Sequence, residues 1–223
     1  MDQQSGPGVR AQKKRRDRLI QRVSSHRDWA LGYGDETWWS RFTQPRLRVW
    51  TEADKPLRLV EQVKQKEDPD PKALACYGLL VRWATEEQGS QEQAWLRFVD
   101  GRPVSAITIQ FLEWCCAKLQ GMGIRVLALI WDNAGWHISQ AVCTWIREHN
   151  RRVKQSGEGV RILVGLLPVK SPWLNPIEPK WVHGKRRVME PNRTLSAQEL
   201  ADRVCAAFEC DHEDHLTIPE NVS

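Results

Sequence analysis

Acidic residues in three separate segments of this chain have side chains that suit a metal site. Asp132 comes directly after the apolar run Val126 to Trp131, and Glu178 ends the segment SPWLNPIE at positions 171–178. The third acidic position is Asp35, beside Glu36. Magnesium is a hard cation that a few carboxylates hold, with water and substrate phosphate completing its shell. Carboxylates from distant segments therefore suit phosphoryl transfer, such as the cutting of DNA.

Asp132 has a position that favours metal binding. It lies at the carboxyl end of a predicted central strand, where open α/β sheets bind their ligands. The alternative is an aspartate that caps the next helix, although Asn133 or Ser139 could cap that helix equally well. We therefore interpret Asp132 as a metal ligand.

Glu178 has two interpretations. Asn175 at the N-cap, Pro176 at the first helical position and Glu178 at the third would form a capping box. Pro179 lacks an amide that could donate a helical hydrogen bond, so this turn is not built for helix stability alone. A carboxylate at a helix start also faces the sheet edge where metals and anions bind, and we favour that role.

Asp35 and Glu36 are adjacent, so strand alternation points their side chains to opposite faces. We expect Asp35 to face the site, because a short side chain makes a tighter ligand, and Glu36 to support the surroundings. His137 follows Asp132 by five residues and could contact substrate phosphate or support a metal ligand; an ordinary helix-start histidine is the alternative. The candidates for such supporting or substrate contacts are Asn133, His137 and Asn175.

Positive charge is clustered along the chain. Lysine and arginine number 33 against 28 acidic residues, which gives a net charge of +5 and a pI near 9.0. Such clusters favour an anionic partner and could follow a phosphate backbone, although a solvated helix face is the alternative for any one of them. The predicted DNA-binding residues are Lys13, Lys14, Arg15, Arg16, Arg147, Arg151, Arg152, Lys154, Lys180, Lys185, Arg186 and Arg187.

The composition indicates one main globular domain. The chain has 223 residues, of which 41% are hydrophobic, enough for one sizeable core. The longest apolar runs are far too short to cross a bilayer, and the polar N-terminus lacks a signal-peptide core. We therefore expect a cytoplasmic protein without a membrane partner.

Six cysteines show no even framework of the kind that small secreted domains use. We expect reduced thiols that lie mostly in the core. Zinc binding is the alternative for Cys205, Cys210, His212 and His215, whose types are suitable. The two histidines are closer together than zinc-finger spacing normally allows, which argues against that site.

The first half of the chain predicts a basic helix followed by antiparallel strands. The helix is expected from about Lys13 to Ser24. Alternating and aromatic residues favour strands over Trp29 to Thr43, Leu47 to Thr51, Leu74 to Trp83 and Ala94 to Val99, with Glu86 to Gln93 as a polar connection. These strands would form a meander.

The second half alternates helices with apolar strands. Helices are expected over Ser105 to Leu119, His137 to Lys154 and after Asn175, and strands over Arg125 to Trp131 and Val160 to Leu167. Ser105 would cap the first of these helices, and Gly121 with Gly123 would stop it. Continuous apolar strands between helices indicate a sheet buried on both faces. The predicted fold is α/β, with a mixed sheet flanked by helices.

These motifs together carry a family resemblance. Trp131-Asp132-Asn133 with His137, followed by Leu167-Pro168 and the segment from Ser171 to Trp181, closely resembles the catalytic core of bacterial insertion-sequence transposases in the mariner superfamily. These are DDE-type enzymes, or DDE superfamily endonucleases. The segment GDET at 34–37 is similar to the one that carries the family's first acid, so the resemblance covers about Asp28 to Met189.

The resemblance implies an RNase H-like fold in which Asp35, Asp132 and Glu178 are catalytic and hold two magnesium or manganese ions. It also implies DNA as the partner, cleavage at transposon ends followed by strand transfer, and a homo-oligomer on paired ends. The expected organisation is a basic leader and linker helix over 1–27, the catalytic domain over 28–210 and a C-terminal tail over 211–223. Such a cytoplasmic enzyme would associate with the nucleoid.

Two features differ from the family pattern. Asp132 and Glu178 are 46 positions apart, which is longer than usual, and an extended helix and loop over Glu148 to Gly159 would absorb the excess. The family's helix-turn-helix modules would precede Asp35, yet the chain begins only shortly before it. A separate chain could supply that recognition, or the protein could be a truncated, non-catalytic DNA-binding or regulatory remnant. Another RNase H-like nuclease, such as a junction resolvase, is disfavoured by the match at 171–178.

Overall fold

Six strands and five helices make up the part of the chain that the structure describes. This computed structural model describes residues 7–42, 64, 66–85, 89–169, 171–188 and 193–219. The helices are α1 (Pro7–Val23), α2 (Ser105–Gly121), α3 (Gln140–Ser156), α4 (Ile177–Val188) and α5 (Ala197–Phe208). The strands are β1 (Trp29–Ser40), β2 (Ala73–Thr85), β3 (Gly89–Asp100), β4 (Val126–Trp131), β5 (Arg161–Leu166) and β6 (Leu216–Thr217). A 3-10 turn at Pro172–Leu174 leads into α4.

All six strands join one mixed sheet in the order β5-β4-β1-β2-β3-β6. β1 runs antiparallel to β2 and parallel to β4, and β4 runs parallel to β5. β2 and β3 form an antiparallel hairpin, and β6 adds a short parallel pairing to β3. The later crossover helices and the mixed sheet flanked by helices are therefore confirmed, and β1, β2 and β3 form the described part of the predicted meander.

The sheet is buried on both faces. On one face, α2 and α3 cover a core that includes Leu79, Leu127 and Leu129. On the other face, α1, α4 and α5 cover a second core that includes Leu80 and Ile130. Every residue of β4 is buried, which explains why its sequence shows no apolar and polar alternation. The six cysteines are free and four of them are buried, as expected.

The predicted cap of α2 and the predicted start of α3 need correction, whereas Ser139, one of the two cap candidates for α3, is its N-cap. Val104, not Ser105, is the N-cap of α2, and the Ser105 hydroxyl donates instead to Ser139 Oγ at 2.8 Å. The predicted start of α3 at His137 is also wrong. Ser139 caps this helix by accepting from the Val142 amide at 3.2 Å, so His137 lies in the preceding turn, where its ring is free to face the sheet edge.

The β2–β3 hairpin extends further than predicted. Residues 89–93, expected in a polar connection, belong to β3 and pair with β2 as far as Thr85 opposite Gly89. Their polar side chains are exposed or half-buried, which suits strands that project beyond the covered part of the sheet. The predicted strand from Leu47 to Thr51 lies outside the described residues.

The C-terminal segment contributes to the sheet. Leu216 pairs with Val99 and is buried, so at least part of the predicted tail over 211–223 packs against the core. The domain boundaries at 27 and 210 remain predictions. None of the described helices combines the length and the apolar character that a membrane span requires.

A close approach between α4 and the sheet depends on Gly78. Gly78 pairs with Asp35 in the β1–β2 ladder. A Cβ atom on Gly78 would lie 2.3 Å from Trp181 and 2.9 Å from Ile177, both on α4. The missing side chain therefore provides the space that the Trp181 ring occupies over β2.

We predict that Gly78→Ala lowers the free energy of unfolding by about 1–3 kcal/mol, because the added methyl group overpacks against the buried Trp181 ring. Urea unfolding measures the change. Gly34→Ala is the matched control, since a Cβ at this strand glycine would meet its nearest neighbour at an ordinary 3.4 Å. Equal destabilisation by both changes would contradict the packing argument.

Candidate active site

Asp35 and Asp132 lie at the same edge of the sheet because β1 and β4 are parallel neighbours. The last aligned pair of these strands is Tyr33 with Ile130, and each aspartate follows its own member of that pair by two residues. β5 ends beside them, with Leu166 opposite Trp131. The carboxyl ends of β4 and β5 therefore lie beside the middle of β1, which continues to Ser40, and the carboxyl ends of parallel strands are where such sheets bind ligands.

Glu178 reaches this edge because the start of α4 is attached to β1. The buried Asn175 donates from Nδ2 to the carbonyl oxygen of Gly34 at 3.1 Å. Three residues beyond Glu178, and so on the same side of the helix, Trp181 donates from Nε1 to Oδ2 of Asp35 at 2.9 Å. These two bonds place the first turn of α4 over the middle of β1, beside the carboxyl end of β4.

The capping-box interpretation of Glu178 does not hold. In a capping box, the backbone amide of Asn175 would donate to the Glu178 carboxylate. Here that backbone amide donates instead to the carbonyl oxygen of Pro172 at 2.8 Å. Asn175 Oδ1 faces the amide of Ile177 at 3.5 Å. The cap therefore uses no carboxylate, and Glu178 lines a pocket of about 230 Å³ together with Asp35 and Asp132.

The pocket environment opposes ionisation of two of its carboxyl groups. Burial, together with the negative charges of Glu178 and Glu36, raises the pKa of Asp35 to about 7, against a smaller lowering by the Trp181 hydrogen bond. Burial and the charge of Asp132 raise the pKa of Glu178, and Lys185 lowers it. Asp35 and Glu178 therefore retain protons more readily than ordinary carboxyl groups.

Asp132 is held in its ionised form by His137. Its Oδ1 accepts from His137 Nδ1 at 2.8 Å and from the Ala134 amide at 2.9 Å. The hydrogen bond from His137 lowers the pKa of Asp132, against the opposing effect of partial burial. Asp132 therefore differs from Asp35 and Glu178 in that its pKa is lowered, chiefly by the hydrogen bond from His137.

His137 lies between two carboxylates. Its Nε2 contacts Oε1 of Glu36 at 2.7 Å, while Nδ1 contacts Asp132. Burial disfavours the charged imidazole, but the hydrogen bonds and charges of the two acids outweigh burial and raise the pKa of His137 to about 9. The ring is therefore protonated at neutral pH and donates from both nitrogens. His137 is only 2% exposed, so it supports Asp132 instead of contacting substrate directly.

The two asparagines support the floor of the pocket and also line it. Asn133 donates from Nδ2 to the carbonyl oxygen of Leu167 at 2.6 Å and so joins the segments that follow β4 and β5. Asn175 connects α4 to β1 as described above. Both amides are used in holding backbone segments together, which is the supporting role expected for them.

The pocket carboxylates do not converge on one point. Among the described residues, no three histidine, cysteine, aspartate or glutamate side chains are arranged to hold one metal ion. The zinc candidates Cys205, Cys210, His212 and His215 likewise form no group that could hold a metal ion. His212 Nδ1 contacts Asp202 and His215 Nδ1 contacts Asp100, each at 2.6 Å, so both imidazoles have carboxylate partners.

The basic cluster on α3 lies away from the pocket. α3 begins beyond the carboxyl end of β4 and returns to the amino end of β5, where Arg125 donates to the carbonyl oxygen of Gly157 at 3.0 Å. Its exposed members are Arg147, Arg151, Arg152 and Lys154. Residues 148–156 belong to this helix and 157–159 to the turn after it, so the helix and loop expected over Glu148 to Gly159 are present, and their role in absorbing extra length stays a prediction.

The other basic clusters lie on α1 and α4. Lys13, Lys14 and Arg15 are exposed on α1, and Arg16 pairs with Asp17. On α4, Lys180 pairs with Glu92 at 3.0 Å, and Lys185 is close enough to Glu178 to lower its pKa. Arg186 and Arg187 are exposed near the end of α4. The α4 cluster is thus the one that shares a helix with a pocket carboxylate.

Sequence reasoning missed the tryptophans that position the acids. Trp136 donates from Nε1 to Oε2 of Glu36 at 3.1 Å, and Trp181 donates to Asp35. The spacing of Trp181 from Glu178 could have placed it on the same side of α4. No local signal could have linked Glu36 to His137, because the two residues are 101 positions apart.

Several known proteins are similar to this chain. A family model described as DDE superfamily endonuclease matches residues 30–201. No curated protein matches. The solved structures include the Mos1 transposase paired-end complex with left transposon end, with a TM-score of 0.57 and 15% identity, covering 97% of this chain and 59% of that chain.

Two further Mos1 mariner structures are similar at low identity. The paired end complex with Mn has a TM-score of 0.53 and 13% identity, covering 95% of this chain and 57% of that chain. The paired end complex with Mg has a TM-score of 0.52 and 16% identity, covering 92% of this chain and 56% of that chain. The chain thus spans less than two thirds of the length of these transposases.

The likeness to these structures concerns the fold, and it confirms the RNase H-like mixed sheet. The family model is the stronger evidence, since it matches residues 30–201 and so spans most of the chain from β1 into α5. On that evidence the chain belongs to the DDE superfamily endonucleases.

Proposed function

We propose that this chain is the catalytic domain of a transposase that cuts DNA with divalent metal ions held by Asp35, Asp132 and Glu178. The observation that carries the proposal is the shared pocket of about 230 Å³, which these carboxylates line from β1, the loop after β4 and the start of α4. Family membership supports it, as do similar structures described as transposase complexes with a transposon end, Mn or Mg.

The donor set of the pocket fits magnesium or manganese. It consists of carboxylate oxygens, which hard divalent cations prefer. Burial is the largest cause of the raised pKa values of Asp35 and Glu178, and the charges of neighbouring carboxylates add to it; a bound cation would offset both effects. We propose that these carboxylates hold the two expected ions between them. When bound, the ions activate the attacking water or 3′-hydroxyl and stabilise the leaving oxygen.

The side chains of the pocket orient the carboxylates before any substrate binds. His137 Nδ1 and the backbone amide of Ala134 both donate to Oδ1 of Asp132, and neither hydrogen bond involves Oδ2. Trp181 fixes Oδ2 of Asp35. Asp35 and Asp132 are therefore each oriented through hydrogen bonds to one carboxylate oxygen, which preorganises them for metal and phosphate.

The proposal includes the expected partners. DNA is the substrate, and the exposed lysines and arginines of α1, α3 and α4 supply positive charge for its backbone. We propose a homo-oligomer on paired transposon ends, with terminal-repeat recognition supplied by a helix-turn-helix part that a separate chain could contribute. A cytoplasmic, nucleoid-associated location follows from such a substrate.

We predict that Asp132→Asn abolishes metal-dependent nicking of supercoiled plasmid while leaving DNA binding nearly intact. The loss should exceed about a hundredfold, since even groups that only support a metal ligand contribute about ten- to a hundredfold. Asp28→Asn, at an exposed position, is the control. Equal loss of nicking and binding would contradict the assignment. No nicking by the folded parent protein would instead favour a regulatory, non-catalytic DNA-binding protein.

A pH dependence of stability follows from the raised pKa of Asp35. The pKa of this carboxyl is about 7 in the folded protein, whereas the unfolded group ionises near its ordinary pKa of 3.8. The folded state therefore binds more protons between these values, and the metal-free protein loses stability as pH rises through that window. We predict that Asp35→Asn stabilises the metal-free protein at pH 8 by roughly 2–4 kcal/mol and has little effect at pH 4.

Thermal unfolding in a chelator at the two pH values measures this difference. Asp28→Asn controls for removal of a surface charge. Addition of Mg²⁺ should reduce the advantage of Asp35→Asn, because the variant loses a ligand. A stabilisation of equal size at both pH values would contradict the assignment of the effect to Asp35 ionisation.

We predict that the double change of Arg151 and Arg152 to Ala weakens DNA binding at all sequences. The slope of log K against log salt should fall by about 1–2, because each phosphate contact contributes about 0.9. Cleavage by the bound complex should change little, since these residues lie at the opposite end of the sheet from the pocket. Arg102→Ala is the control, and an unchanged slope in the double variant would place Arg151 and Arg152 outside the DNA interface.

A further inference from the structure

Glu36 is a buried acid that lies near the pocket without lining it. It follows Asp35 on β1, and strand alternation points its side chain to the opposite face of the sheet. Its side chain is 8% exposed, whereas that of Asp132 is 54% exposed. A buried carboxylate needs partners, and those of Glu36 lie in the turn that follows Asp132.

Both oxygens of Glu36 are used. Oε1 accepts from His137 Nε2 at 2.7 Å, and Oε2 accepts from Trp136 Nε1 at 3.1 Å. Two donors on consecutive residues therefore fix the plane of this carboxylate. Glu36 in turn ties the turn before α3 to β1, across 101 positions of sequence.

The His137 ring has little freedom to move. It stacks on the Trp131 ring at 4.3 Å between centroids with only 7° between the planes. The amide of His137 donates to the carbonyl oxygen of Ala134 at 2.9 Å. With its plane set by stacking and Nε2 anchored on Glu36, the ring directs Nδ1 at Oδ1 of Asp132, 2.8 Å away.

We propose that Glu36 is a positioning residue for metal binding, acting through His137 to hold the Asp132 carboxylate with Oδ2 available to the pocket. The inference rests on the proposed function. Asp132 stands just beyond the end of β4 and is half exposed, so burial alone does not fix its rotamer. Hydrogen-bond partners of a metal ligand set its orientation and contribute strongly to metal affinity.

The test compares Glu36→Ala with Glu36→Gln in the full chain. Alanine removes the anchor for Nε2, so the ring no longer holds Asp132. Glutamine removes the charge that favours the protonated ring and keeps the connections with the neutral Nδ1–H tautomer: its amide donates to Nε2, its carbonyl accepts from Trp136, and Nδ1–H still donates to Asp132. Binding of Mn²⁺ without DNA, followed by electron paramagnetic resonance of the free ion, gives a readout that is independent of cleavage.

We expect Glu36→Ala to weaken Mn²⁺ binding by about ten- to a hundredfold and Glu36→Gln to retain most of the affinity. Glu113→Ala is the matched control, because Glu113 also accepts from a tryptophan, Trp145 Nε1 at 3.2 Å, but lies on α2 away from the pocket. Parent-like Mn²⁺ binding by Glu36→Ala would overturn the proposal. Equal losses in the alanine and glutamine variants would also overturn it, since the hydrogen-bond connection would then not be the cause.

If Glu36→Ala does not fold, a variant that removes only one of the two hydrogen bonds to Glu36 still tests the proposal. Trp136→Phe removes one donor to Glu36 and keeps an aromatic ring, and it should weaken Mn²⁺ binding by about two- to tenfold. Unchanged affinity in that variant would then overturn the proposal. If the parent protein binds no Mn²⁺, both this inference and the proposed function are overturned. If the parent binds Mn²⁺ and nicks DNA, and Glu36→Ala binds Mn²⁺ with the same affinity as the parent, only this inference is overturned.

Discussion

The parallel pairing of β1 with β4 is the constraint on which the rest of the site depends. It fixes Tyr33 opposite Ile130, and so brings Asp35 and Asp132 to one edge although they lie far apart in sequence. A slip of one residue in either strand would turn its side chains to the opposite face. Burial of both faces of the sheet prevents such a slip, so the core specifies the register and the register specifies the carboxylate pair.

The third carboxylate depends on a different kind of contact. Glu178 reaches the pocket because α4 packs tightly on β2 at Gly78 and because Asn175 and Trp181 bond to β1. Trp181 is at once a packing element and a hydrogen-bond donor to Asp35. Stability of the helix and geometry of the pocket are therefore controlled by the same few side chains, and a change that loosens one loosens the other.

Much of this arrangement could be predicted from local sequence. The apolar run of β4 and the helical spacing of α2 each determine one element, and the position of Asp132 after a buried strand indicates its place at the sheet edge. Glu36 was expected to support the surroundings of the site, but its partner His137 could not be predicted, because the two residues are 101 positions apart. The predicted cap of α2 was wrong because the Ser105 hydroxyl donates to Ser139, which is distant in sequence. A local sequence pattern contains no information about such a contact.

The direction of α3 determines the shortest DNA duplex that could contact both its basic end and the pocket carboxylates. Its basic end lies beside the amino ends of β4 and β5, while the carboxylates lie beyond their carboxyl ends. β4 has six residues, so the two regions are separated by about 20 Å along the strand direction. At about 3.4 Å per base pair, a duplex running in that direction needs at least about six base pairs to contact both regions. Shorter oligonucleotides would contact one region only, and their affinity would not reflect that of a long duplex.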